Sequence, residues 1–207
     1  MIPVTLEQVR SLAPHAHLVY LNGFTKADET LSAYGVNENA LRLAHFAAQL
    51  LHESGGFRIF EEDLSYRTPD RIQQVFGKKR FPTLDSAQPF VRNPIALARK
   101  VYNGRMGNTL TNDDGWLFRG RGPMQLTGRE NYKKFGTMLG VDLVANPGLV
   151  NDPRYLLAIP AVYWRDRGCN ALADKDDLTG VTKRINGGAV GLDDRALWLT
   201  KTKAVFR

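Results

Sequence analysis

The chain has 207 residues, 43% hydrophobic and 24% charged, the proportions of an ordinary globular protein long enough for one sizeable core. Its net charge of +7 favours an anionic partner but does not by itself select nucleic acid, a membrane surface or an acidic polymer. The single cysteine, Cys169, excludes an internal disulfide and a zinc site of several thiolates, and no stretch approaches the ~18 apolar residues that would span a bilayer.

Residues 1–7 show no basic stretch followed by an apolar run, so no secretory leader is expected; the chain is expected to be made in the cytoplasm, and any action outside it requires release by another agent. Thr5-Leu6-Glu7-Gln8 has the spacing of a capping box and predicts a short first helix ending near Pro14. Asn37 or Asn39 can cap the next. From Ala40 to His52 the apolar residues occupy more than one stripe, which predicts a helix buried almost all round, stopped by Gly55 and Gly56.

Thr68-Pro69 predicts a helix with Pro at its first position and Ile72, Val75 and Phe76 on one side; Asn93-Pro94 predicts another, with Ile95, Ala98, Val101 and Tyr102 facing inward. Residues 68–103 are expected to form a small helical lobe. From Thr109 to Gly122 the Asn, Asp, Gly and Arg around Trp116 and Phe118 predict a long loop or short strand. Thr127-Gly128-Arg129-Glu130 reads as a second capping box, opening a helix with Tyr132, Phe135 and Leu139 inside and Gly140 at its end. Asp152-Pro153 is expected to open a helix kinked near Pro160. Asp177 is expected to cap the last clear helix, with Leu178, Val181 and Ile185 at helical spacing and Gly187-Gly188 ending it. Cys169 has no base nearby in the sequence and reads as a small buried hydrophobe.

The chemistry concentrates at His52-Glu53-Ser54-Gly55-Gly56-Phe57 and Glu61-Glu62-Asp63-Leu64. Glu53 falls in the last turn of the apolar helix, with further carboxylates just across the Gly-Gly turn. Two carboxyls held apart in a cleft are the minimum equipment for acid/base cleavage of a glycosidic bond. The negative end of the helix dipole and the apolar run both disfavour a charged Glu53, the condition a general acid needs. One of the following acids can serve as base to a water, and spacing alone does not separate Glu61 from Glu62. The segment from Phe118 to Tyr132 lacks the phosphate-loop pattern and reads as a cleft wall. It displays Gln125, Thr127 and Asn131, neutral groups suited to sugar hydroxyls and N-acetyl amides, and Thr127 also reads as a helix N-cap.

These stretches, with Arg119-Gly120-Arg121-Gly122-Pro123-Met124-Gln125-Leu126-Thr127, Val101-Tyr102-Asn103-Gly104-Arg105-Met106-Gly107-Asn108 and Ile185-Asn186-Gly187-Gly188, resemble family 19 glycoside hydrolases, the chitinase class. Within it they are most similar to the short bacterial and phage members that act as peptidoglycan-degrading endolysins. The likeness runs from about residue 37 to 198. It implies a mainly α, lysozyme-like fold (α+β with minimal β), with a substrate cleft between the main body and the small lobe. One catalytic domain over 1–207 is implied, without a separate cell-wall-binding module.

The same resemblance implies Glu53 as general acid, Glu62 as the second acid acting as base, and Thr127 as the residue that positions the attacking water. It implies Gln125, Asn131 and Asn186 as sugar-binding residues and Arg195 as a late charged residue near the acids; Arg195 and Tyr66 are expected among the substrate-binding residues as well. The family inverts at the anomeric carbon and uses no metal, so no cofactor is expected, and inversion needs carboxyls ~6.5–9.5 Å apart. Plant chitinases carry longer loops and disulfides that one cysteine cannot supply, which implies a more open groove suited to a cross-linked polymer. The expected activity is therefore cleavage of β-1,4 bonds in peptidoglycan glycan strands, by a monomer with no nucleic-acid partner and no stable membrane insertion. Chitin hydrolysis is the alternative, and a non-catalytic glycan- or nucleic-acid-binding protein the third reading. Hydrolysis and transglycosylation stay open at this point.

Overall fold

Local capping chemistry starts several helices where the sequence places them. In the computed structural model, which describes residues 1–207, α1 (Leu6–Leu12) opens on a capping box between Thr5 and Gln8. α2 (Leu18–Phe24) and α3 (Ala27–Ala33) lead to the 14-residue α4 (Ala40–Glu53), capped by Asn39. Asn37 is instead buried, its amide donating to the Ile2 carbonyl at 3.3 Å. α5 (Pro69–Phe76), α6 (Leu84–Ala87) and α7 (Pro94–Tyr102) follow, with Thr68 and Asn93 accepting at the first turns of α5 and α7. A single turn, α8 (Asp114–Leu117), precedes α9 (Arg129–Leu139), α10 (Ala158–Asp166), α11 (Cys169–Ala173), α12 (Leu178–Asn186) and α13 (Leu192–Val205). The fold is thus mainly α. Its β pairing is limited to two isolated bridges, Glu61–Arg121 and Arg121–Leu126.

α4 is buried continuously from Leu43 to Leu51, as its apolar content predicts, and α13 lies along it. The main core of 24 buried residues gathers α4 with α1 to α3 and parts of α10 to α12. A second cluster, Leu64, Ile72, Phe81, Ala87, Leu97, Ala98 and Val101, forms within 64–101. A third, including Phe118, Tyr132, Phe135 and Ile159, joins α9 to α10. The end of α4, the Tyr102 end of α7 and the segment before α9 therefore each rest on a different cluster.

Several expectations change. Val75 and Ile95 are exposed, at 43% and 40%, and Leu97 takes the inward place in α7. Helical spacing identifies the helix there but not which of two apolar residues two positions apart faces in. The stretch 109–122 contains α8, held by the buried Asp114, which accepts from the Thr109 amide at 2.8 Å and pairs with Arg129 at 3.2 Å. The second capping box does not form: Gly128, at φ 90°, is the N-cap of α9, and the side chain of Asn108 accepts from the Arg129 amide at 2.8 Å. Asp152 opens no helix; it folds onto Arg154, and α10 begins at Ala158. Pro160 then lies in the first turn, where its missing N–H would be unpaired anyway, so no kink arises. α12 is capped by Asp177 and ended by left-handed Gly187 as expected, but it is not the last helix, because α13 follows.

Candidate active site

Glu53 is delivered by the end of α4, where Gly55 and Gly56 reverse the chain at φ 58° and 73°, conformations that L side chains rarely adopt. Its side chain is 25% exposed, and Oε1 accepts from Arg195 Nη2 at 2.5 Å. Arg195, on α13, is only 2% exposed. It also donates to Gln49 Oε1 and, through Nε, to the Val190 carbonyl at 3.3 Å. Gln49 lies one turn before Glu53 and donates to Thr182 Oγ1 at 3.3 Å. A buried chain, Thr182–Gln49–Arg195–Glu53, thus ties α12, α4 and α13 together. Alongside it, His52 Nδ1 lies 2.6 Å from Asp194 Oδ2. The apolar residues before Glu53 predict an apolar setting, which is corrected: Glu53 is paired with a buried guanidinium, that of Arg195, the charged residue the resemblance places near the acids.

The two acids that spacing could not separate have different partners. Glu61 is committed to arginine, with Arg119 Nη2 at 2.6 Å and Arg121 Nε at 2.7 Å. Glu62 Oε1 instead accepts from the Tyr102 hydroxyl at 2.6 Å and Oε2 from the Gly120 amide at 3.2 Å. Burial, reinforced by the bond to Glu62, pushes the Tyr102 phenol well above its ordinary range, so it remains a donor. Tyr66 packs edge-on to Phe76, and its phenol is raised first by burial and then by the negative charge of Glu62. Both tyrosines therefore belong to the surroundings of Glu62.

A cavity of about 390 Å³ opens at the end of α4, and Glu53, Gln125, Thr127, Asn131 and Asn186 all line it. Glu62 is not part of that lining. Its Cβ and Gln125 Oε1 border the same side of Gly120, and it lines a separate groove of about 260 Å³ with Trp116 and Arg119. Thr127 is not an N-cap; its hydroxyl donates to the Gln125 carbonyl at 2.9 Å, leaving its lone pairs free. Asn131 donates to the Thr127 carbonyl at 2.8 Å, and Gln125 to the Gly122 carbonyl at 3.1 Å. These bonds hold three neutral side chains as one wall. Asn186, at the exposed end of α12, accepts from the Gly188 amide at 2.8 Å. No three His, Cys, Asp or Glu side chains cluster as metal ligands would.

The family described as "Chitinase class I", the family 19 glycoside hydrolases, matches residues 11–171. The chain belongs to this family. This family 19 glycoside hydrolase is 40% identical over 159 residues to a Haemophilus influenzae protein named "Glycosyl hydrolase family 19 domain-containing protein", across 76% of each chain. It is 44% identical over 86 residues to "Acidic endochitinase Q" of Nicotiana tabacum, across 41% of this chain and 34% of that one. The matched stretch therefore spans about three quarters of the bacterial relative but a third of the plant protein. Chitinase C from Streptomyces griseus shares the fold with a TM-score of 0.67 at 20% identity, across 99% of this chain and 92% of that structure.

Of the eight residues marked in the sequence of this hydrolase, five line the cavity, Arg195 stands directly behind Glu53, and Glu62 and Tyr66 stand together to one side. Gln49, Tyr102 and Arg167 were not marked. Gln49 is four residues before Glu53 and so on the same helix face, a signal the spacing contains. Tyr102 lies in the run 101–108 already singled out. Cys169 is buried, and burial pushes its thiol up to about 12, as suits a small core hydrophobe.

Proposed function

We propose that the chain hydrolyses β-1,4 bonds of N-acetylhexosamine glycans by inverting acid/base catalysis, with Glu53 as acid and Glu62 as base. The observation that carries this reading is the shared cavity wall: Glu53 lies with Gln125, Thr127, Asn131 and Asn186, an acid beside neutral groups that match sugar hydroxyls and amides. As Glu53 gives its proton to the leaving oxygen, the carboxylate that forms meets Arg195, an interaction stronger after proton transfer than before it. Glu62 is oriented by Tyr102 and Gly120 to take a proton from water, whereas both contacts to Glu61 come from arginines that hold it in place. Thr127, its own proton spent on Gln125, offers lone pairs to that water.

The chitinase names of the plant and Streptomyces relatives favour chitin as the polymer. The net charge of +7 favours a second reading, the anionic glycan strands of peptidoglycan. Reducing-end release from colloidal chitin and from purified sacculi separates them. Glu53→Gln and Glu62→Gln should each lower kcat by about 10²–10⁴-fold without unfolding the chain. Glu61→Gln should act mainly on stability. Full activity in Glu53→Gln would defeat the assignment.

A further inference from the structure

Three charged side chains line the cavity: Glu53, Arg121 and Arg167. Glu53 is paired with Arg195, and Arg121 with Glu61. Arg167 has neither an ion-pair partner nor a side-chain hydrogen bond, since the adjacent Asp166 is taken by Lys134 at 3.0 Å. It follows the last residue of α10, where any exposed cation would offset the helix dipole. Its placement is more specific than that. The guanidinium lies 5.0 Å from the centroid of the Tyr163 ring, and the Tyr163 hydroxyl donates to the Ile185 carbonyl at 3.0 Å. The ring is thereby pinned between α10 and α12 as part of the cavity wall, and it seats the charge there by cation–π contact.

The lining is left with one uncompensated positive charge. A neutral polysaccharide offers it only hydroxyls and amides. A carboxylate would match the guanidinium fork in both charge and geometry. We propose that Arg167 is a specificity residue that receives a carboxylate carried by the glycan, giving the cavity a preference for acid-bearing N-acetylhexosamine strands over neutral ones. This rests on the hydrolase reading above and goes beyond it by choosing the substrate class. The carboxylate can be that of a lactyl ether on the sugar or that of a peptide attached through it; the chemistry at Arg167 is the same.

The test compares kcat/KM on three substrates of matched length: peptide-free strands with the lactyl carboxylate exposed, peptide-bearing strands, and neutral N-acetylglucosamine oligomers. Arg167→Ala should lower kcat/KM on acid-bearing strands about 10-fold more than on neutral oligomers, chiefly through KM. Arg167→Lys should recover part of that loss, and Arg167→Glu should deepen it. Added salt should weaken the wild-type preference for acidic strands and leave that of Arg167→Ala nearly level. The acidic strand that loses more identifies the carboxylate's source. An equal loss on acidic and neutral substrates, or a lysine variant no better than alanine, would overturn the proposal while leaving the hydrolase reading intact. A wild type that cleaves none of the three would overturn both.

Discussion

Arg195 offers the sharpest test of how this site is built. Its guanidinium is 2% exposed and serves Glu53, Gln49 and the Val190 carbonyl at once. Arg195→Met keeps the length of the side chain but leaves the Glu53 carboxylate and the buried Gln49 oxygen without their donor. Removing one partner of a buried pair costs roughly 3–5 kcal/mol, and the one-quarter exposure of Glu53 lets water recover part of it, so about 3 kcal/mol is expected. Glu53→Gln keeps a neutral acceptor for Arg195 and should cost about 1.5 kcal/mol. The double variant has no charge left to strand and should cost about 3 kcal/mol, not the additive 4.5, a coupling of about 1.5 kcal/mol. With an m-value near 2.5 kcal/mol/M, Arg195→Met moves the urea midpoint down by about 1.2 M. Thermal midpoints should fall by about 6–12 °C for a chain of this size. Equilibrium urea unfolding of all four proteins closes the cycle. Additivity within about 0.5 kcal/mol would refute the reasoning, because it would mean that the two charges do not depend on each other.

Tyr102→Phe removes the hydroxyl that orients Glu62 at 2.6 Å but leaves the ring against its cluster; kcat should fall about 10-fold with the melting temperature nearly constant, and an unchanged kcat would remove Tyr102 from the mechanism. His45 is fully buried on α4, with Nε2 2.7 Å from Asp176, and burial outweighs that carboxylate to hold the imidazole below its ordinary range. The unfolded chain takes that proton near pH 6.5 and the native chain only at lower pH, so stability is complete above about 6.5 and falls as the pH drops below it. His45→Gln should flatten this loss in urea midpoints compared between about pH 8 and pH 5; parallel curves would exclude His45 as its source. Gly115→Ala would push a methyl into the Ala98 carbonyl where α7 meets α8, and should cost about 2–3 kcal/mol, read as a lower melting temperature; no change would show that this contact can relax.

The helix starts were legible because caps are local. Thr5, Thr68, Asn93 and Asp177 each satisfy an amide three residues away, so a few letters suffice. The same letters misled at Thr127, where Gly128 adopts positive φ and a side chain 21 residues upstream takes over the cap. α13 went unseen for another reason. Its buried face reads Arg195, Leu199 and Thr202, helical in spacing but polar at two of three positions, and Gly191 leads into it without a side-chain cap. Apolar periodicity cannot report a face that is buried by hydrogen bonds: Arg195 to Glu53 and Gln49, and Thr202 to the Ala44 carbonyl at 2.9 Å.

From the sequence alone came the helical class, the turn with Glu53 on one side and Glu61 and Glu62 on the other, and the neutral wall near residue 125, because each depends on neighbours within a few residues. The resemblance placed Arg195 near the acids, but only the folded chain assigned each acid its own partner. Arg195 lies 142 positions from Glu53, Arg121 lies 60 from Glu61, and Tyr102 lies 40 from Glu62. What a carboxylate can do is set by the charges and donors that touch it, and over such separations along the chain only packing decides which ones do.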